Sequence, residues 1–226
     1  MRASCIAFDL DDTLFLERDY VRSGFAAVGE WVSSQFGLTR FAERAWDLFQ
    51  EGFRRNIFDL ALEEASLPAS SEMIEKMVSV YRSHVPDIRL APDAVCCLEA
   101  LRGQVRLALI SDGPVESQRN KVRALALNAS IDQIILTAEL GAEYVKPHPR
   151  SFQLVEKLSN TSGGRCLYVG DNPAKDFSAP LQLGWRSIRV RRPDGLHASV
   201  DTPEQLAVER EMNDLSSLTE LVLGSP

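Results

Sequence analysis

Basic residues are in deficit in this 226-residue chain: 25 Lys and Arg stand against 32 Asp and Glu, a formal net charge of −7 with histidine neutral. Neutralising a run of phosphates needs a basic surface, so a chain this acidic is a poor candidate for binding nucleic acid through its overall charge, and no nucleic-acid partner is expected. A small anionic ligand is not excluded, because a local site can oppose the global charge. Cysteine is scarce too. Cys5, Cys96, Cys97 and Cys166 make no CxxC spacing, and the three histidines, His84, His148 and His197, are scattered. This argues against a zinc or disulfide framework and for buried thiols in a reducing cytoplasm. Long hydrophobic runs are missing as well. The apolar stretch before Asp9 is too short for a signal peptide or a bilayer span, and no later stretch reaches membrane length without a charge. No membrane partner is expected, and no internal repeat or low-complexity tract occurs. The sequence sets no oligomeric state.

What is present is ordinary globular material, 45% hydrophobic and 25% charged, long enough for one core and a small accessory domain. Residues 4–10 form an apolar run broken by acids, the pattern of a buried parallel strand. Residues 105–111, 133–137, 166–170 and 186–190 repeat it. Helical spacing fills 92–102, which stops at Gly103, and also 115–127 and 151–158. Strands alternating with helices predict a three-layer α/β fold with a Rossmann-like parallel sheet, whose ligands bind beyond the carboxyl ends of the strands.

Residues 16–84 break the alternation. Apolar residues recur there only at helical spacing, as in Phe25, Val28 and Val32, and Ser70 or Ser71 is available as an N-cap. The expected division is a core of residues 1–15 and 87–226 and an inserted helical domain of residues 16–86. Phe25, Trp31, Phe36, Phe41, Trp46 and Phe49 are expected to form the core of the insert. The acidic tail, 202–223, reads as helical.

Four motifs follow apolar strands. In Asp9-Leu10-Asp11-Asp12-Thr13, side chains two apart in extended structure point the same way. Asp9 and Asp11 can then face one pocket, where mutual repulsion demands a cation or a proton. One would stay ionised as a nucleophile and the other would carry a proton as general acid. Taken alone, the pair fits a solvated turn equally well. Ser111-Asp112-Gly113 offers a hydroxyl and free backbone N–H groups to a phosphate oxygen, or makes a plain turn. Lys146, between Val145 and Pro147, suits a phosphate or carboxylate, or an ordinary surface loop. Gly170-Asp171 closes the fourth strand, with Asp176 five positions on. Hard oxygen donors without Cys or His select magnesium over zinc. Asp176 would reach the metal, orient Asp171 and Lys146, or cap a helix.

In combination these motifs are specific. The sequence resembles the haloacid dehalogenase-like hydrolases, whose DxDx(T/V) loop, strand-ending Ser/Thr, Lys and closing GD…D match Asp9-Asp11-Thr13, Ser111, Lys146 and Asp171-Asp176. The resemblance runs from the first strand through residue 176, and the insert resembles the α-helical cap found directly after the first motif in one subfamily. It implies that Asp9 attacks phosphorus and that Asp11 protonates the leaving oxygen and later deprotonates water. It also implies Mg²⁺ held by Asp9, the Asp11 carbonyl and Asp171, with Ser111, Asp112 and Lys146 on the phosphoryl oxygens. Electrostatics agrees: four ionised acids against Lys146 leave three negative charges, magnesium reduces this to one, and a protonated Asp11 to none.

The expected function is a Mg²⁺-dependent phosphatase acting on a small phosphorylated metabolite through an aspartyl-phosphate. A phosphomutase of the β-phosphoglucomutase kind keeps both aspartates and is the alternative. A dehalogenase needs no proton for its leaving halide, so Asp11 argues against it, and intact motifs argue against a non-catalytic binding protein. Substrate choice is expected in the cap, where Arg18, Arg22, Arg54 and Arg55 are candidates to meet a second anionic group or else form a solvated face.

Overall fold

A computed structural model describes residues 3–224. The chain divides into two compact units, Met1–Arg18 with Arg89–Pro226, and Asp19–Ile88.

The larger unit is built on six strands: β1 Cys5–Phe8, β2 Arg106–Ser111, β3 Gln133–Leu136, β4 Cys166–Gly170, β5 Arg186–Val190 and β6 Arg210–Met212. All pair in parallel, in the order β3-β2-β1-β4-β5-β6. The chain builds outward from β1 to β3 on one side, then returns to β4 and builds outward on the other. The order therefore reverses between β1 and β4, the place where a parallel sheet leaves a crevice at its carboxyl edge. The central strands are buried on both faces, which explains their unbroken apolar runs. One face packs Cys5, Ala7, Ala108, Ile110 and Tyr168 against Phe152, Phe177 and Trp185. Helices α5 Pro92–Leu101, α6 Val115–Ala124, α7 Arg150–Ser159, α8 Ser178–Gln182 and α9 Leu218–Leu223 complete the unit.

The smaller unit contains most of α1 Glu17–Phe36, then α2 Phe41–Gln50, α3 Ile57–Glu64 and α4 Ser71–Ser83. Ser70 Oγ accepts from Met73 N at 3.2 Å and caps α4. Its core is aromatic: the Phe25 ring lies 6.3 Å from Phe49, 6.0 Å from Phe58 and 5.9 Å from Tyr81. Phe25, Phe41 and Phe49 are buried and Trp31 and Trp46 half-buried, but Phe36, expected in this core, is 45% exposed at the end of α1.

Three further readings need correction. The tail is not one helix: a 3-10 turn at Glu204–Leu206, β6 and α9 share it. An edge strand of three residues, Arg210, Glu211 and Met212, carries no apolar alternation to announce it. Helix α6 stops at Ala124 and gives way to a 3-10 turn at Leu127–Ala129, with Ala126 left-handed between them. Of the four free cysteines, Cys96 is exposed, because its neighbour Cys97 takes the inward position of α5. No helix among the described residues is long and apolar enough to cross a membrane.

Candidate active site

Asp9 follows β1 directly, and its N–H donates to Val169 O at 2.8 Å, which seats it level with the end of β4. Asp171 follows β4, so the two carboxylates flank the switch point. Lys146 arrives from the loop after β3. Its Nζ donates to Asp9 Oδ1 at 2.5 Å, Asp176 Oδ1 at 2.8 Å and the Tyr168 hydroxyl at 2.9 Å. The other Asp176 oxygen accepts from Asn172 N at 2.9 Å. Gly170 is required here, since a Cβ on it would stand 2.6 Å from Asp176 Oδ2. Asp176 thus acts on Lys146 and the β4 loop, with both oxygens engaged.

Three buried acids converge: one oxygen each of Asp9, Asp171 and Asp176 lie within 4.8 Å of one another. Burial, with added repulsion from Asp176, pushes the Asp9 carboxyl up to about 6 against the pull of Lys146. Burial and the charges of Asp9 and Asp176 push Asp171 up to about 10. Burial raises Asp176 too, but Lys146 and Lys175 outweigh it and hold that carboxyl below its ordinary value. The same partners, Asp176 and Asp9, overcome burial to hold Lys146 well above the usual lysine range. Asp9 Oδ2 is buried without a hydrogen-bond partner among the described residues. A bare carboxylate oxygen beside a second strained carboxylate is the donor set of a hard divalent cation.

Asp11 faces a different partner. Its Oδ1 accepts from Lys121 Nζ, on α6, at 2.6 Å. Ser111, at the end of β2, donates to Gln118 Oε1 at 3.1 Å, one turn earlier on the same helix. The Asp112 side chain is held by its neighbours. Its Oδ1 accepts from Thr137 Oγ1 at 2.6 Å and from Lys146 N at 3.1 Å, and its Oδ2 lies 3.7 Å from Lys175 Nζ. An acceptor-only side chain cannot bind phosphate oxygen; Asp112 braces the Lys146 loop, and its backbone N–H is what remains for an anion.

The loop after β1 is held by partners from several parts of the chain. Asp12 sits at φ 54 and accepts from Glu17 N at 2.8 Å and Leu196 N at 2.7 Å. Thr13 is buried, and its carbonyl accepts from Arg192 Nε at 3.0 Å and Nη2 at 2.8 Å. Asp93 clamps the same guanidinium at 3.1 and 2.8 Å. Arg189, fully buried in β5, donates to the carbonyls of Asp171 at 2.9 Å and His197 at 2.8 Å. Lys121, Gln118, Arg189, Arg192 and Tyr168 escaped the sequence reading. The one available signal was an arginine at the centre of an apolar strand, Ile188-Arg189-Val190.

Three of the four candidate specificity arginines have partners within their own units. Arg18 pairs with Asp194 at 3.1 Å. In the helical unit, the Arg22 guanidinium lies 5.4 Å from the Trp46 ring centre. Arg54 donates to the carbonyls of Phe49 and Phe53 at 2.7 and 2.8 Å and covers the Phe49 ring, and Arg55 is exposed.

A doubly wound parallel sheet with aspartates on both sides of its switch point and a buried lysine between them is the class of α/β protein that works on ligands at its carboxyl edge. The chain belongs to the haloacid dehalogenase-like hydrolases, a family of enzymes, whose model matches residues 3–184. It is 27% identical to human N-acylneuraminate-9-phosphatase over 82% of this chain and 81% of that protein. It is 30% identical to the phosphoserine phosphatase of Thermus thermophilus, over 87% of this chain and 93% of that one. Among solved structures, the HAD-hydrolase YfnB of Bacillus subtilis bound to magnesium shares the fold, with TM-score 0.71 and 18% identity over 98% and 99% of the two chains.

Proposed function

We propose that the protein is a divalent-cation-dependent phosphatase that hydrolyses the phosphate monoester of a small metabolite, with Asp9 as nucleophile and Asp11 as acid and base. The observation that carries this is the division of the Asp9 carboxylate: Oδ1 is held by Lys146 while Oδ2 is buried without a hydrogen-bond partner among the described residues, and Asp171 and Asp176 converge on the same carboxyl. A held carboxylate cannot rotate away, which keeps Asp9 positioned for attack on phosphorus.

The chemistry runs in two transfers. A carboxylate oxygen of Asp9 forms a bond to phosphorus while the ester P–O bond breaks, and the leaving oxygen takes a proton from Asp11. Water then attacks phosphorus, gives its proton to Asp11, and the Asp9–phosphorus bond breaks to release inorganic phosphate. Ser111 and the backbone N–H groups after β2 would hold the phosphoryl oxygens, and Lys146 would hold Asp9 in line. Asp9, Asp171 and the Asp11 carbonyl would hold Mg²⁺, which would supply charge neutralisation around the phosphoryl group. With Asp11 protonated as the acid, the three remaining site carboxylates against the ammonium groups of Lys146 and Lys121 leave one negative charge, which a divalent ion would more than offset in favour of an anionic substrate.

Two relatives are named for phosphate release from small metabolites, which supports this reaction class over phosphoryl return to a sugar. Asp11 supports an oxygen leaving group over a halide, which needs no proton. The free thiols and the net charge of −7 fit a reducing, cytoplasmic setting without nucleic-acid partners. The test is a phosphate-release screen over phosphorylated metabolites with and without Mg²⁺, wild type against Asp9→Asn. Mg²⁺-dependent release that Asp9→Asn abolishes is expected; release indifferent to the substitution contradicts the assignment.

A further inference from the structure

We infer that Lys121 is the positioning residue for Asp11: it fixes one carboxylate oxygen so that the other is presented to the leaving group. The inference rests on the reading of Asp11 as acid and base given above.

Lys121 lies on α6, 110 residues from Asp11 in the chain, yet its Nζ meets Asp11 Oδ1 at 2.6 Å. The two side chains are unequally covered. That of Lys121 is 3% exposed and that of Asp11 17%, so the carboxylate is gripped from the inside and open on the outside. The centre of the Phe15 ring lies 5.9 Å from the same ammonium.

The face of α6 turned inward is polar where a packing helix would be apolar. Ser117, Gln118 and Lys121 are all buried on it. Gln118 takes the Ser111 hydroxyl and Lys121, three residues on, takes Asp11. One helix turn therefore sets two side chains that come from two different strand ends. Residues three apart on a helix share a face, so this spacing delivers both groups to one crevice.

Stability alone is a poor account of the pair. A buried ion pair is commonly no better for folding than apolar residues of similar size. What the pair adds is direction. An exposed aspartate at a tight turn has several rotamers of similar energy, and misplacing a reacting group by about 1 Å costs roughly 100-fold in rate.

The experiment compares wild type, Lys121→Met, Asp11→Asn and the double variant on p-nitrophenyl phosphate and phenyl phosphate with Mg²⁺. Nitrophenolate leaves with little help from a proton, whereas phenolate needs one. Lys121→Met is expected to lose about 100-fold in kcat on phenyl phosphate and less than about 10-fold on p-nitrophenyl phosphate, with KM little changed. In the Asp11→Asn background it should cost almost nothing more, because the two residues act as one unit. A merely structural lysine would lower both rates together and add to Asp11→Asn. Equal losses, additivity, or a raised KM at unchanged kcat would overturn the inference while leaving Asp11 its role, provided Asp11→Asn shows the leaving-group signature. Absence of that signature from Asp11→Asn, or no phosphate release by wild type, overturns both readings. If Lys121→Met fails to fold, Lys121→Gln carries the same comparison.

Discussion

The α/β unit and the helical unit use their charged residues in opposite ways. In the α/β unit, charges are buried: Lys146, Asp176 and Arg189 are at most 4% exposed, and each is held by several partners drawn from separate loops. In the helical unit the core is aromatic and the charges sit outside. Arg44 pairs with Glu51 and Glu64 on the surface, and Arg40 with Glu43 one turn along the same helix. Burying a charge is costly unless it is fully paired, so buried charges persist where chemistry needs them. On the proposed function, the reaction takes place among the buried charges of the α/β unit. In the helical unit, Arg22 and Arg54 lie against aromatic rings, and Arg54 also donates to a backbone carbonyl.

Breaking the contrast at its centre should have the largest effect. Asp9→Asn is expected to lower kcat by about 10,000-fold or more while circular dichroism and melting show the fold retained. Residual activity near that of wild type would move the chemistry elsewhere.

Arg189→Met tests whether the buried charges are also structural. It leaves the carbonyls of Asp171 and His197 without their donor, and unfolding by urea should show a loss of about 3–5 kcal/mol. A loss below about 1 kcal/mol would mean that Arg189 is replaceable padding.

The crowding of carboxylates predicts a pH dependence of the metal-free protein. Asp9 titrates at about 6 and Asp171 at about 10 in the folded state, against an ordinary value of 3.8. The folded state therefore binds more protons than the unfolded one across that window, and stability falls as pH rises through it. Adding Mg²⁺ should raise Tm by several degrees at pH 9 and by clearly less at pH 5, where protons compete for the same oxygens. Equal shifts at both pH values, measured by scanning fluorimetry, would contradict the shared acidic cluster.

The smallest effect should come from the helical unit. Arg44→Ala removes a surface pair and should move Tm by no more than about 2 °C, a shift that 0.5 M salt largely abolishes. A larger fall would erase the contrast between the units.

Legibility in the sequence followed the same division. Asp9, Asp11, Ser111, Lys146, Asp171 and Asp176 were readable because each stands just beyond an apolar strand or its following loop, and the sheet rule brings those places to one edge. Their supports were not. Lys121 reaches Asp11 across 110 residues, Arg192 reaches Thr13 across 179, and no local pattern encodes such a pairing. The bracing of Thr137 and Lys146 by the Asp112 side chain was not legible, because a Ser-Asp-Gly turn looks the same whichever way its acid faces. β6 was hidden because a short polar edge strand lacks the alternation that marks a half-buried one.

The most direct test of the account is to find the phosphoryl group in transit. Wild-type protein mixed with Mg²⁺ and p-nitrophenyl phosphate, quenched in acid within one turnover and digested, should yield a phosphorylated peptide that maps to Asp9 and disappears as inorganic phosphate accumulates. Turnover with no phosphorylated peptide, or with the label on any other residue, would contradict it.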